Sequence, residues 1–281
     1  MSRYGASQFS SLFDKCVLWW PGSHIAATNT AKTITANGNV TQVTTIPDPW
    51  GMSRPVAYFD GSGDYLTVPD SNDWYFGTGD YCIECFIKTS AHGASNGTLF
   101  YQGDSVANTS TVSMLICVVN GKIKYYPDYS NSGTPIVSTI TVTDNTWHHI
   151  ACVRNGNVFT IYIDGVADGS KTVSWTAINT AYPLSIGEIG TSYFPYNGYI
   201  SELRISKGIA RYTSNFTPST TRFKPDIYTK LLLHMYGSGA TFVDDPYVDI
   251  DEFPIIPSGV TVTPTGTFTK TDLGNNKGVV S

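Results

Sequence analysis

Residues 147–165 read WHHIACVRNGNVFTIYIDG, and the alternation of apolar and polar positions there predicts two paired strands. Asn155-Gly156 suits the central positions of a two-residue type I′ turn, both of which need positive φ. That turn pairs Val153 with Val158, Cys152 with Phe159, Ala151 with Thr160, Ile150 with Ile161, His149 with Tyr162 and His148 with Ile163. Opposed residues share a face. Ile150, Cys152, Phe159, Ile161 and Ile163 therefore form a core side, and Trp147, His149, Thr160, Tyr162 and Asp164 the other. A slip of one residue would scatter the apolar set over both faces.

The period of two recurs along the chain. Residues 16–20 read as an apolar strand closed by Pro21-Gly22, residues 33–43 as a short hairpin about Asn37-Gly38, and residues 56–68 as two strand pieces about Gly61-Ser62-Gly63. Tyr81–Lys88 alternates strictly, with Ile83, Cys85 and Ile87 on one face and Cys82, Glu84 and Phe86 on the other. Strands follow at 98–101, 111–119 and 122–126, the last two joined at Asn120-Gly121, and then at 184–187 and 198–206. In 198–206, Tyr199, Ser201, Leu203 and Ile205 face one way and Ile200, Glu202 and Arg204 the other. Residues 207–216 are the one non-strand element, read as a helical turn ended before Pro218. About a dozen short strands without βαβ alternation predict an all-β fold of two antiparallel sheets packed face to face.

At 281 residues the chain has room for one large all-β domain or two smaller ones. Its 17 basic and 22 acidic residues, with no Lys/Arg cluster, disfavour a nucleic-acid partner. No segment approaches the ~18 apolar residues of a membrane helix, and MSRYGASQFSSLFDK has no apolar export core, so neither a membrane nor secretion by a visible signal is expected. Five cysteines, at 16, 82, 85, 117 and 152, sit in apolar strand-like surroundings and read as reduced, buried thiols.

The candidate chemistry is thin. Cys82 and Cys85 form a CxxC, but residues three apart on a strand face opposite ways, as do the adjacent His148 and His149, so neither pair makes a metal site. The glutamates, at 84, 188, 202 and 252, form no acid/nucleophile cluster of the glycosidase kind. Glu84 or Glu202 paired with Arg204 is the expected role of a carboxylate inside an apolar strand. Calcium is the candidate cofactor, with Asp60, Asp64, Asp70 and Asp73 crowded near Asp80 in a turn-rich stretch. For sugar stacking the candidates are Tyr125, Tyr126 and Tyr129 in KYYPDYSN, and Tyr193, Tyr196 and Asn197 in TSYFPYNG.

FDGSGDYLTV, GDYCIECFIK, WHHIACVRNGNVFTIYIDG, LSIG and NGYISELRISKGIARYTSNFTPS resemble, in order, the landmarks of LamG-like jelly-roll domains of the concanavalin A-like lectin and glucanase superfamily. The ending ISKGIARYTSNFTPS is most similar to the version found in bacteriophage structural proteins. LLLHMYGS at 231–238 repeats CVLWWPGS at 16–23, and TVTPTGTFTK at 261–270 repeats TITANGNVTQ at 33–42. The expected organisation is an arm over 1–15, a jelly-roll domain over 16–225 and a partial second repeat over 226–281 that packs on the first domain, on another chain or on sequence beyond Ser281. Taken with the missing export signal, the cysteines suited to a reducing compartment and the missing carboxylate pair, the resemblance leads to the expectation of a non-enzymatic virion protein, a head decoration or tail-associated component assembled in the host cytoplasm. It would bind host-surface glycans and contact other virion proteins and copies of itself. The alternatives are a polysaccharide hydrolase or lyase of the same superfamily and a secreted adhesion lectin.

Overall fold

The computed structural model of the protein describes residues 31–90, 92, 97–104, 111–127, 134–189, 194–235, 237–238, 240–244, 270–272 and 278–280. With strands numbered in chain order, one sheet runs β1 (Thr35–Asn37), β4 (Tyr65–Val68), β13 (Leu184–Ile186), β6 (Gly97–Gln102), β7 (Met114–Val119), β8 (Lys122–Tyr126) and β9 (Ile136–Val137). The other runs β12 (Val166–Thr172), β11 (Val158–Ile163), β10 (Trp147–Asn155), β5 (Tyr81–Lys88), β14 (Asn197–Lys207), β3 (Val56–Asp60) and β2 (Thr41–Val43). β15 (Thr229–Leu233) pairs with the second half of β14, so the opening of the expected second repeat is itself a strand of this sheet. β16 (Gly237–Ser238) and β17 (Thr241–Phe242) form a small hairpin. All pairings are antiparallel, as the sequence predicts for a two-sheet sandwich. A second unit, Asp249–Ser281, contains β18 (Lys270–Asp272) paired with β19 (Gly278–Val280). The predicted strand at 16–20, Cys16 and Glu252 lie outside the described residues.

The core between the sheets holds Phe59, Leu66, Ile87, Ile161, Ile200 and Leu203, each 1% exposed or less. Burial of such side chains contributes roughly 1.5–3 kcal/mol each. Ile150, Cys152, Phe159, Ile161 and Ile163 all lie in this core, so the face assignment of the 147–165 hairpin holds. Its register does not: Asn155 pairs with Val158, Cys152 with Ile161 and Ile150 with Ile163, two residues away from the predicted pairing. The turn has moved to Gly156-Asn157, with Gly156 at φ 58° and Asn155 outside the positive-φ region. The cause is tertiary. Asp80 accepts the Gly156 N–H at 2.7 Å, and Arg154 Nε donates to the Gly156 carbonyl at 2.8 Å. At Asn120-Gly121 both φ are positive (51° and 72°) and the predicted turn forms, with Val119 opposite Lys122. There the outside contacts, Gly121 N–H donating to the His92 carbonyl at 3.0 Å and Val142 N–H donating to the Gly121 carbonyl at 2.8 Å, leave the turn where the sequence puts it.

Three further expectations need correction. Residues 33–43 are not a hairpin, because β1 joins β4 in one sheet while β2 joins β3 in the other. Asn37-Gly38 is a corner between the sheets, and Gly61-Ser62-Gly63 is a second corner beside it. The buried Asp64 carboxylate joins them, accepting the N–H of Asn39 at 2.7 Å and of Asp60 at 3.0 Å. β14 does not alternate throughout: a bulge between Ser201 and Arg204, with Glu202 at φ 53°, inverts the parity. Ile200 therefore faces the core together with Leu203 and Ile205. Residues 207–216 contain no helical turn.

The far side of the hairpin is buried too. After β14 the chain crosses the outer face of the second sheet as an irregular strap over 208–226, and Tyr212 and Phe216 pack on Cys82, Ala151, Val153 and Tyr162. Gly165, at φ 80°, receives the strap closely, since its carbonyl accepts the Phe216 N–H at 2.9 Å and a Cβ there would meet the Phe216 carbonyl. Beneath the strap lies Glu84, which is fully buried. Its Oε1 accepts from Arg204 at 2.9 and 2.7 Å, and its Oε2 accepts from Tyr212 at 2.8 Å and lies 3.1 Å from His149 Nε2. Of the two partners the sequence offers Arg204, Glu84 and Glu202, the structure selects Glu84. Burial works to raise the Glu84 pKa, but hydrogen bonds from His149 and Arg204 and the guanidinium charge outweigh it and hold the carboxyl at about 2.

Glu84→Ala is expected to cost about 3–5 kcal/mol in urea unfolding at neutral pH, since it leaves Arg204 buried without its carboxylate. The folded pKa of about 2 lies below the ordinary 4.5, so the carboxylate's contribution is complete above 4.5 and is lost as pH falls toward 2. Glu84→Gln should therefore flatten the acid limb of the stability curve.

Candidate functional site

The strap covers the outer face of the second sheet over Cys82, Glu84, Ala151 and Val153, and Trp50 and Phe223 cover Phe86. Beyond Phe86 the face carries a different set of residues. Thr41 lies opposite Tyr58, Tyr58 opposite Tyr199, Tyr199 opposite Lys88 and Lys88 opposite Trp147, one residue from each of β2, β3, β14, β5 and β10. Directly opposed residues share a face. The inward neighbours Ala57, Phe59, Ile87 and Ile200 confirm that this row points away from the core. All five members are partly exposed. At the usual strand spacing of about 4.8 Å the row runs roughly 19 Å.

The rings of Tyr58 and Tyr199 have centroids 5.1 Å apart with planes tilted by 34°, which makes one aromatic surface. Trp147 ends the row, its indole N–H donating to the Pro47 carbonyl at 2.9 Å. Lys88 stands between the tyrosine pair and Trp147, with its ammonium donating to the Asn145 carbonyl at 2.5 Å. One step along the strands from the tyrosines, Asp60 lies opposite Asn197. Asn39 Nδ2 donates to Asp60 Oδ2 at 3.2 Å. Close approach makes this rim possible: a Cβ on Gly61 would lie 3.0 Å from Asn197, and one on Gly198 would lie 2.6 Å from the Lys88 carbonyl. Two aromatic faces beside amides, a carboxylate and an ammonium can stack on the apolar face of a sugar ring and hydrogen-bond its hydroxyls.

Of the residues singled out from the sequence for sugar contact, Asn197 is exposed and belongs to this rim. Tyr125 and Tyr196 need correction, because both are fully buried and offer no ring face to solvent. Tyr125 shares a hydrogen bond with Tyr81 inside the core, and Tyr196 packs edge-on to Phe59 and stacks on His92. The strand phase turns Tyr125 inward and its neighbour Tyr126 outward, where Tyr126 packs half-buried beside Tyr101 and Leu115 on the other sheet. Tyr129 and Tyr193 lie outside the described residues. Tyr58, Tyr199, Lys88 and Trp147 were missed. Each is only the outward member of an alternating strand, and the signal that could have found them is the alignment of four such positions across the sheet.

The four aspartates considered for calcium do not converge. Asp64 is spent on the corner backbone, Asp70 accepts from Gln102 at 3.3 Å, Asp73 is paired with Lys32, and Asp60 accepts from Ser62 N–H at 2.8 Å as well as from Asn39. Among the described residues no three His, Cys, Asp or Glu side chains are arranged to hold a metal ion. His148 and His149 diverge as strand alternation requires. His148 lies 2.7 Å from Asp164 and 3.1 Å from Asp144, and the hydrogen bond to Asp164 foremost raises its pKa. Cys82 lies beneath the strap, whereas Cys85 lies in the core. Glu84, Glu188 and Glu202 are each 1% exposed or less. Glu202 accepts the Phe223 N–H at 3.0 Å and lies 2.7 Å from His234 Nδ1.

The family described as the concanavalin A-like lectin/glucanases superfamily matches residues 60–210. None of the curated proteins matches the chain. Among solved structures, a putative carbohydrate binding protein from Bacteroides ovatus is similar at 16% identity and a TM-score of 0.47, over 74% of this chain and 53% of that one. Domain 4 of AbnA, an extracellular arabinanase from Geobacillus stearothermophilus solved with arabinotriose, is similar at 19% identity and a TM-score of 0.48, over 64% of this chain and 83% of that one. The LG4-5 domains of the mouse laminin alpha1 chain are similar at 18% identity and a TM-score of 0.42, over 60% of this chain and 53% of that one. At these values the likenesses carry no argument about a ligand.

Because Tyr58 and Tyr199 lie on the surface of a sheet pinned by other contacts, alanine at either should cost no more than about 1 kcal/mol of stability. A double-mutant cycle should return a coupling of about 0.5–1 kcal/mol, measured by thermal or urea unfolding.

Proposed function

This chain belongs to the concanavalin A-like lectin/glucanases superfamily, and on that premise we propose that it is a non-enzymatic carbohydrate-binding module whose ligand lies along Tyr58 and Tyr199. The observation that carries the reading is the partly exposed row from Thr41 to Trp147, with Asn39, Asp60 and Asn197 beside it. A row roughly 19 Å long suits an oligosaccharide better than a single sugar. The binding would be of the stacking kind: the tyrosines lose little side-chain freedom, and the rim selects hydroxyl directions. The non-catalytic part of the reading is supported by the glutamates. Glycoside hydrolysis needs two carboxyl groups, from Asp or Glu, flanking a reachable bond, and the glutamates among the described residues, Glu84, Glu188 and Glu202, are all buried.

The same reading extends to a bacteriophage virion, with other particle proteins and further copies of this chain as partners and host-surface glycans as the ligand. Its support is the resemblance of residues 205–219 to phage structural proteins, together with four buried thiols, Cys82, Cys85, Cys117 and Cys152, which suit assembly in a reducing cytoplasm. Mass spectrometry of purified particles of the encoding phage tests it, and absence of the chain from them would overturn it.

For glycan binding, calorimetry on oligosaccharides selected from a bacterial glycan array should show Tyr58→Ala and Tyr199→Ala each weakening affinity about tenfold or more, equivalent to ~1.4 kcal/mol. Unchanged affinity in both variants would move the site elsewhere and sink this assignment.

A further inference from the structure

Lys88 is the member of the row whose chemistry a neutral sugar does not use fully. On the covered part of the same face the cations have carboxylates. Arg204 and Arg211 lie 2.7 and 3.9 Å from Glu84, Arg211 lies 2.7 Å from Asp226, and Arg222 lies 3.4 Å from Glu202. Lys88 has no carboxylate within 4 Å among the described residues. Among the described residues its ammonium has one hydrogen-bond partner, the Asn145 carbonyl at 2.5 Å. An ammonium carries three donors, so two remain to be offered across the row.

That ammonium is held in place. Asn145 adopts φ 62°, a conformation uncommon for a residue other than glycine, and its N–H donates to the Thr89 carbonyl at 3.0 Å, one residue beyond Lys88. The acidic residue next to Asn145, Asp144, is engaged elsewhere: its Oδ1 accepts from Thr146 N–H at 3.0 Å and Thr146 Oγ1 at 2.7 Å and lies 3.1 Å from His148 Nε2. At the rim, the Asp60 carboxylate is held by Ser62 and Asn39. The surface is therefore polarised, with a positioned cation beside Tyr199 at one end and amide and carboxylate acceptors at the other. A ligand that stacks on Tyr199 puts its ring substituents within reach of Lys88.

We infer that Lys88 selects glycans in which the sugar stacked on Tyr199 carries an anionic group, the carboxylate of a uronic acid or a sulfate or phosphate ester. This rests on the carbohydrate-binding reading and goes further by naming the ligand's charge. A charge-assisted hydrogen bond is stronger than a neutral one, and at a partly buried face it is less screened than in open solvent. Chain polarity follows, since the anionic unit must lie toward β5 and β10 and the neutral hydroxyls toward β3 and Asn197.

The test uses the full chain with matched pairs that differ only in charge: an oligogalacturonate against its methyl ester, and a sulfated and a phosphorylated oligosaccharide against their unsubstituted forms. Calorimetry at low salt should show at least one charged member binding about tenfold more tightly than its neutral match, with the gap shrinking at high salt. Which pair shows the gap identifies the anion. Lys88→Met should abolish the gap, Lys88→Arg should keep it, and Tyr199→Ala should weaken both members alike; circular dichroism and melting of each variant establish that it is folded. Equal binding within every pair, or a gap that survives in a folded Lys88→Met, overturns the assignment of Lys88 while leaving carbohydrate binding standing. No binding to any member, charged or neutral, overturns both.

Discussion

A carboxylate with no access to water organises the outer half of this molecule. Glu84 sits on the central strand β5 with Arg204, Tyr212 and His149 converging on it from three other parts of the chain. A buried ion pair adds little net stability over a well-packed apolar pair, but removing one partner is severe. The network therefore acts less as glue than as a registration device. Tyr212 reaches Glu84 only if the strap lies where it does, and the rings of Tyr212 and Phe216 then seal Cys82, Ala151 and Val153. Covering that part of the face defines the other part, where Tyr58, Tyr199 and Lys88 remain partly open.

The bulge in β14 connects the two regions. Before it, β14 presents Tyr199 outward and pairs with β3; after it, the strand presents Arg204 outward and pairs with β15. Without the inversion at Glu202, a strand showing Tyr199 to solvent would bury Arg204 on the same side as Ile200 and turn Leu203 and Ile205 outward. One left-handed residue thus lets a single strand carry both an open aromatic and a buried salt bridge on one sheet face. Glu202 is held there by the Phe223 N–H and His234, residues of the strap and of the segment after β15.

Much of the fold was legible because its signals are local. Strict alternation over Tyr81–Lys88 identified both faces of β5, and Asn120-Gly121 identified a hairpin that formed as written. The Glu84–Arg204 pair was legible because a carboxylate inside an apolar strand needs a partner, and the choice was small. The candidate site was barely legible. Asn197 and Asp60 were noticed for separate reasons, and the structure sets them opposite each other. Tyr125 and Tyr196 attracted attention as aromatics near turns, but strand phase and packing bury them. Tyr58 and Tyr199 lie 141 positions apart in sequence and 5.1 Å apart in space, and nothing short of the strand order brings them together.

The hairpin at 147–165 separates the two kinds of information. The sequence by itself determined which residues of β10 and β11 face the core, because side chains alternate with a period of two and any even shift of register preserves the faces. Only the tertiary structure decided which residues are partners, because the turn position depends on Asp80 and Arg154 gripping Gly156 from either side. The same division holds across the sandwich. Local pattern dictates the inward and outward sets, whereas sheet order, the bulge at Glu202 and the strap over Glu84 decide which outward residues meet and which stay open to a ligand. Those depend on contacts between segments far apart in the chain, and a one-dimensional period carries no record of them.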